Sequence, residues 1–281
     1  MNKVLLTKKQ AIDFLELKEK VFNNYFGSAK EFIPVKRQNE RGRFFFEKDQ
    51  LKKWKESYNW RTVVLNREDY NLCLDFALAM HFRGYVLSDW GTARQREFGQ
   101  KLTNWIKGQL GELAVKKFLK REFNLDVELD FNIYPQIVLQ DIIMVFINGI
   151  KRKPKIGIGI KSSKPKNTAL VLGAKEIEIS ERSSDVYIFC RPDLPDDHLL
   201  RIAIDEVIKS VKNKPHFEQY KNLIPEFTDI QAEISGFCYK KELEKVTEIP
   251  GQKFDNGYRY VRFSGDLRRD KKNWEELISK L

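Results

Sequence analysis

Gln140–Lys164 reads QDIIMVFINGIKRKPKIGIGIKSSK. Two apolar runs flank a basic turn, which predicts a pair of β-strands. The first run carries one acid, Asp141. The second ends in Lys161, followed by the small hydroxyl residues Ser162 and Ser163. Side chains alternate along a strand, so Gly157, Gly159 and Lys161 share one face and Ile156, Ile158 and Ile160 the other. A turn centred near Ile150 sets Asp141 opposite Gly159 with Lys161 diagonal to it, both at the open end of a hairpin. Asn148-Gly149 marks the turn, while the basic run KRKPK suggests a longer connection. A carboxylate and an ammonium held together in this way can hold a hard cation and polarise a water.

Working outward, KLTNWIKGQLGELAVKKFL from Lys101 places Leu102, Ile106, Leu110 and Leu113 at helical spacing, with Ala114 and Phe118 extending the face. Gly108 and Gly111 interrupt this helix at about 1 kcal/mol each relative to alanine, a cost that points to close approach of another backbone. Glu112 sits beside them. Further strands are expected over 125–133, 167–173, 176–180 and 185–191, and a helix over 201–213. The tail mixes strand, helix and strand before a last helix with Trp274, Leu277 and Leu281. The expected class is α/β (α+β), with a central mixed β-sheet flanked by helices.

A chain of 281 residues can build one large domain or two smaller ones. The net charge of +11 favours a polyanionic partner, most often nucleic acid. No apolar run is long enough to span a bilayer, and MNKVLLTKKQ lacks a signal-peptide core, so no membrane partner and a cytoplasmic location are expected. Cys73, Cys190 and Cys238 are far apart and form no Cys-x-x-Cys pair, which supports neither a disulfide framework nor a zinc site. His81, His198 and His216 are scattered and read as surface or satisfied core residues.

At the N-terminus, residues 5–15 read as a helix with Thr7 as N-cap, and 18–26 as a second helix. FIPVKRQ and RFFFEK flank a Gly-containing turn and predict a β-hairpin, and a third helix starts near Asp49. This order resembles small winged-helix domains of the excisionase and MerR type, over roughly residues 1–57. The resemblance implies a second helix that enters a major groove with Lys18, Lys20, Asn23 and Asn24, and a wing that grips phosphates with Lys36, Arg37, Arg41 and Arg43. Glu16 and Glu19 flank that helix and depart from the pattern. Residues 58–100 read as a helical connector. Asn66 caps a helix to about Phe82, and SDWGTARQREFG supplies Arg94 and Arg96 in either a DNA-facing loop or a solvated linker.

From residue 101 to 281 the order is a helix with Gly-Glu in GQLGELAV, then Asp141 in LQDIIMV, then Lys161 in GIGIKSSK. That order resembles the PD-(D/E)xK nuclease superfamily, which includes type II restriction endonucleases and Holliday-junction resolvases. The resemblance implies a restriction-endonuclease-like fold and a Mg²⁺- or Mn²⁺-dependent endodeoxyribonuclease that cuts double-stranded DNA at specific sequences, working as a homodimer. Asp141, Glu112 and the main-chain carbonyl of Ile160 would hold the metal, and Lys161 would act on the attacking water. Ser162, Ser163, Lys164 and Lys166 would contact phosphates. The family places an acid two residues before the lysine, where this chain has Gly159. Either Glu176 or Glu178 on a neighbouring strand replaces it, or one metal on Glu112 and Asp141 suffices, or the domain is inactive. The last alternative makes the chain a DNA-binding regulator or architectural protein; a structure-specific, resolvase-like nuclease is a further one.

Overall fold

The structure is a computed structural model that describes residues 3–32, 34, 36–38, 43–83, 97–132, 140–147, 149–179, 183–211, 219, 221, 223–254 and 257–281. It is a mixed α+β fold with mostly antiparallel sheets. Among the described residues no helix is long and apolar enough to cross a membrane.

The N-terminal unit runs β1 (Leu5–Thr7), α1 (Lys8–Leu15), α2 (Glu19–Gly27), β2 (Lys36–Gln38), β3 (Arg43–Glu47) and α3 (Lys48–Trp60). The Thr7 side chain caps α1 reciprocally with Gln10, so the helix starts at Lys8. Leu5–Thr7, expected as helix, instead pairs with β3 and completes a three-stranded sheet in the order β1-β3-β2. Phe22, Tyr25, Phe32, Phe46, Leu51 and Trp54 form this unit's own core.

The chain continues through β4 (Thr62–Leu65), α4 (Arg67–Phe82), α5 (Phe98–Phe123), β5 (Asp126–Leu129), β6 (Ile142–Ile147), β7 (Ile150–Arg152), β8 (Ile158–Ser162), β9 (Ala169–Gly173), α6 (Ala174–Glu178), β10 (Val186–Pro192) and α7 (His198–Ser210). It ends with β11 (Ile230–Tyr239), β12 (Glu244–Val246), β13 (Glu248–Ile249), β14 (Gln252–Lys253), β15 (Arg259–Phe263) and α8 (Lys271–Ser279). The central sheet has the order β4-β11-β10-β8. β8 lies parallel to β10 and the other pairs are antiparallel. Asn66 caps α4 as expected. β4 and α4, within the stretch read as a connector, contribute Val63, Leu65, Tyr70, Cys73 and Ala77 to the core that α5 makes with the sheet. The opposite face of the sheet packs Tyr187 and Phe189 against Leu170, Leu172, Ile177 and Leu267.

Two expectations change here. The hairpin of β6 closes on β7, with Ile147 opposite Ile150, not on the strand that carries Lys161. Gly149 adopts φ +77°, the left-handed turn that glycine allows, so the short connection prevails. Pro154 lies just past β7 and cannot donate to a ladder; after it the chain crosses to β10. The second change is at EIEIS, expected as a strand. Its alternation covers too few residues to separate a strand from one helical turn, and it folds as α6, with Ile177 buried.

A buried ion network docks the N-terminal unit on the central sheet. Arg191 of β10 pairs with Glu31 at 2.9 Å and with Glu233 of β11 at 2.7 Å, and Arg61 pairs with Glu233 at 2.9 Å. Glu31 also accepts from the Ser264 hydroxyl at 2.5 Å and from the Trp54 indole at 3.1 Å, and Tyr25 stacks its ring 4.2 Å from the Arg191 guanidinium carbon. Burial alone would raise the Glu31 pKa, but Arg191 and Arg269 outweigh it and hold the carboxyl down to about 2. Removing one partner strands the others without water, so Glu31→Gln is expected to lower unfolding free energy by about 3–5 kcal/mol in urea denaturation.

His198 is fully buried, with Tyr70 Oη 2.6 Å from Nδ1 and Thr103 Oγ1 3.0 Å from Nε2. Burial lowers its pKa from 6.5 to about 4. Between those values the unfolded chain binds a proton that the folded one refuses, so this residue's contribution to stability falls as pH drops from 6.5 to 4. The expected loss reaches about 3 kcal/mol, and His198→Gln should flatten that part of a stability-against-pH curve.

Candidate active site

β8 is an edge strand of the central sheet, and the site is built on its free edge. Asp141 precedes β6 and lies against that edge. Its N–H donates to the Ile158 carbonyl at 3.2 Å, and its carboxylate accepts the Ile160 N–H. The N–H and C=O of one strand residue point the same way, so the Ile160 carbonyl faces the same edge. Asp141 is thus held at the edge of β8 beside the residue before Lys161, near enough for the two charges to act on each other, through the edge of β8 and not through a hairpin ladder.

Glu112 reaches the site from α5, which crosses the Ile158/Ile160 face. A Cβ on Gly111 would lie 1.8 Å from Ser162 Oγ, so α5 can lie this close to β8 only with glycine there. The Gly108 carbonyl accepts the Ser162 hydroxyl at 3.4 Å, while a Cβ on Gly108 would meet nothing within 4 Å. The close approach expected of both glycines belongs to Gly111.

Burial pushes the Glu112 carboxyl well above the usual range, and the Asp141 charge pushes it the same way against the pull of Lys161. Burial also raises Asp141, against Lys161 and the Ile160 N–H. Asp130 adds negative charge to both. Burial would lower the Lys161 pKa, but Asp141 and Glu176 hold it above its ordinary value. The two acids repel each other, and the charged Lys161 offsets part of that repulsion.

Glu176 of α6 lies 2.8 Å from Lys161 Nζ. Of the two acids weighed as replacements at position 159, this is the one beside the lysine. Glu178 instead accepts from the Tyr258 and Tyr260 hydroxyls at 2.6 and 3.0 Å. Position 159 is tight: a Cβ there would sit 2.9 Å from Ser184 Oγ and 3.1 Å from the Tyr187 ring, so a larger side chain needs both to shift.

The oxygens of Glu112, Asp141 and Ile160 are hard donors of the kind Mg²⁺ or Mn²⁺ takes along with several waters. Gln109 donates its amide N–H to Glu112 at 3.1 Å, and the same amide's oxygen is buried with no partner among the described residues. Among the described residues no group of three or more His, Cys, Asp or Glu side chains is arranged to hold a metal ion. The fit is thus to a cation held by two carboxylates and a carbonyl. Gln109 and Tyr187 were not anticipated. Gln109 stands three residues before Glu112, on the same helix face.

The residues expected to touch DNA are placed unequally. Lys20 and Asn24 of α2 line one cleft of about 450 Å³ together with Lys161, Ser162, Ser163 and Lys166. Asn24 is already engaged, donating to the Lys166 carbonyl at 2.7 Å, and Tyr25 donates to the Pro165 carbonyl at 3.2 Å. Ser163 accepts from Asn167, and Lys164 pairs with Asp196. Lys18 precedes α2 and is exposed, as is Asn23. Lys36, Arg37 and Arg43 lie on β2 and β3 by their backbone; their side chains, and all of Arg41, Arg94 and Arg96, lie outside the described residues.

Helix propensity and packing separate the two glycines. Gly108→Ala is expected to stabilise the protein by up to about 1 kcal/mol. Gly111→Ala is expected to cost about 1–3 kcal/mol, partly recovered when Ser162→Ala is added, as thermal melts of the three variants would read. Comparison of the chain with models of known protein families, with curated proteins and with solved structures finds no match.

Proposed function

We propose that the chain is a divalent-metal-dependent endodeoxyribonuclease of the PD-(D/E)xK kind, resembling type II restriction enzymes, with Glu112, Asp141, Lys161 and Glu176 as its working side chains. The observation that supports this reading is Asp141 bound to the edge of β8 at Ile160, next to Lys161, with Glu112 near enough to feel both charges. These residues come from three separate segments of the chain and converge with a charged lysine among raised carboxylates. Lys161 also lines a cationic cleft that offers charge to a DNA backbone next to the site, although neither Asp141 nor Glu112 lines it.

A divalent cation bound by Asp141, Glu112 and the Ile160 carbonyl supplies charge neutralisation and a more acidic water. Lys161 Nζ holds its proton and places a positive charge where phosphate oxygens gain negative charge during attack. Glu176 orients that ammonium and takes the place of the acid that is absent at Gly159. Hydrolysis then adds a water oxygen to phosphorus and releases a sugar oxygen. Cutting both strands of a duplex takes two such sites, hence a homodimer.

A second reading has one observation in its favour. Ser184 and Tyr187 fill the space where the usual acid stands, as they would in a DNA-binding protein that has lost cleavage. Plasmid DNA incubated with Mg²⁺ or Mn²⁺ separates the two. The nuclease reading expects discrete fragments, a loss of 10³-fold or more in cleavage rate (order of magnitude) for Lys161→Ala, and a smaller but clear loss for Glu176→Gln, with DNA retention in gel shifts kept. Cleavage that persists in Lys161→Ala would remove the proposed site, and binding without any cutting by the unaltered protein would favour the second reading.

A further inference from the structure

The cleft at Lys161 has two unlike walls. One is the face of α2 that presents Lys20, Asn24 and Ser28, spaced four residues apart. The other is the ribbon of β13 and β14, in which Ile249 pairs with Gln252 across a Pro250-Gly251 turn. Gly251 has φ +81°, which with proline before it is the pattern of a type II turn. The tip is therefore held in one shape, and Gln252 is exposed on it.

The charge of the cleft is one-sided. Its cations are Lys20, Lys161 and Lys166, and no carboxylate lines it among the described residues. Lys161 is paired with Glu176, whereas among the described residues neither Lys20 nor Lys166 forms an ion pair. An anionic backbone is the occupant that this charge favours. A strand of duplex DNA lying on such a floor has one groove on each side of it. The major groove admits an α-helix or a two-stranded ribbon and the narrow minor groove admits neither, so with a helix and a ribbon on opposite sides of the floor only one of them enters the major groove. Gln252 is neutral, so it gains little from phosphate; its amide can donate and accept together, the pairing that reads an adenine edge.

Resting on the nuclease reading, we infer that the β13–β14 ribbon is a base-reading element of the cleft. Gln252 contacts a base edge in the groove beside the phosphate held at Lys161, and Lys20 on the opposite wall grips the backbone without reading sequence. Gln252 and Lys20 are both exposed, so their alanine variants should fold, as circular dichroism melts would confirm.

The test is selection of bound molecules from a random-sequence duplex library in Ca²⁺ in place of Mg²⁺, followed by fluorescence anisotropy on the enriched sequence. The unaltered protein is expected to enrich a motif. Gln252→Ala should lose discrimination at one base pair by about 10-fold or more, with binding to scrambled duplex within about twofold of the original. Lys20→Ala should weaken all sequences alike and reduce the salt dependence by about one counterion. An unchanged motif in Gln252→Ala, enrichment of no motif, or preference for RNA or single strands overturns this inference while leaving a nucleic-acid-binding protein. Absence of any duplex binding by the unaltered protein overturns the nuclease reading itself.

Discussion

Arg191 is a charged residue near the end of a buried strand, and the placement of the N-terminal unit on the central sheet depends on it. A guanidinium in that position is tolerable only with carboxylates to meet it. One comes from the neighbouring strand, as Glu233, and the other from outside the sheet, as Glu31. The second pairing obliges the N-terminal unit to sit on the sheet in one orientation. The Tyr25 and Asn24 contacts with residues 165 and 166 then bring α2 beside the end of β8. A helix that would serve as an independent reader in an isolated winged-helix domain is here one wall of a cleft shared with Lys161. Burying ions to fix an orientation contributes little to net stability, and its effect is geometric.

Much of the site could be read in the chain. Asp141 and Lys161 stand out as charges beside or within apolar runs, Glu112 stands out by the glycines next to it, and Gly111 announces a close approach that the Ser162 contact explains. What could not be read was the route. Period-two alternation tells which side of a strand a residue faces, but not which strand it lies beside. The turn at Gly149 and Pro154 divert the chain so that β6 and β8 belong to different ladders, and Asp141 still arrives because it stands just ahead of β6.

The acids after β8 show the same limit at shorter range. Glu176 and Glu178 look equivalent in EIEIS. Two positions are about half a helical turn, which sends Glu176 to Lys161 and Glu178 to a tyrosine pair. The network of Glu31, Arg61, Arg191 and Glu233 left no trace in composition, since a buried charge and a solvated one are written alike. Only tertiary context distinguishes them.

The placement of Asp141 has a consequence for solubility. A strand at the border of a sheet exposes donors and acceptors that can recruit another chain, and proteins commonly blunt such borders with charge. Asp141 occupies the Ile160 N–H and the Ile158 carbonyl on that border. The residue proposed to hold a cation is thus also a stopper against strand addition. Its carboxylate protects the fold from self-association in the same position from which it would serve chemistry.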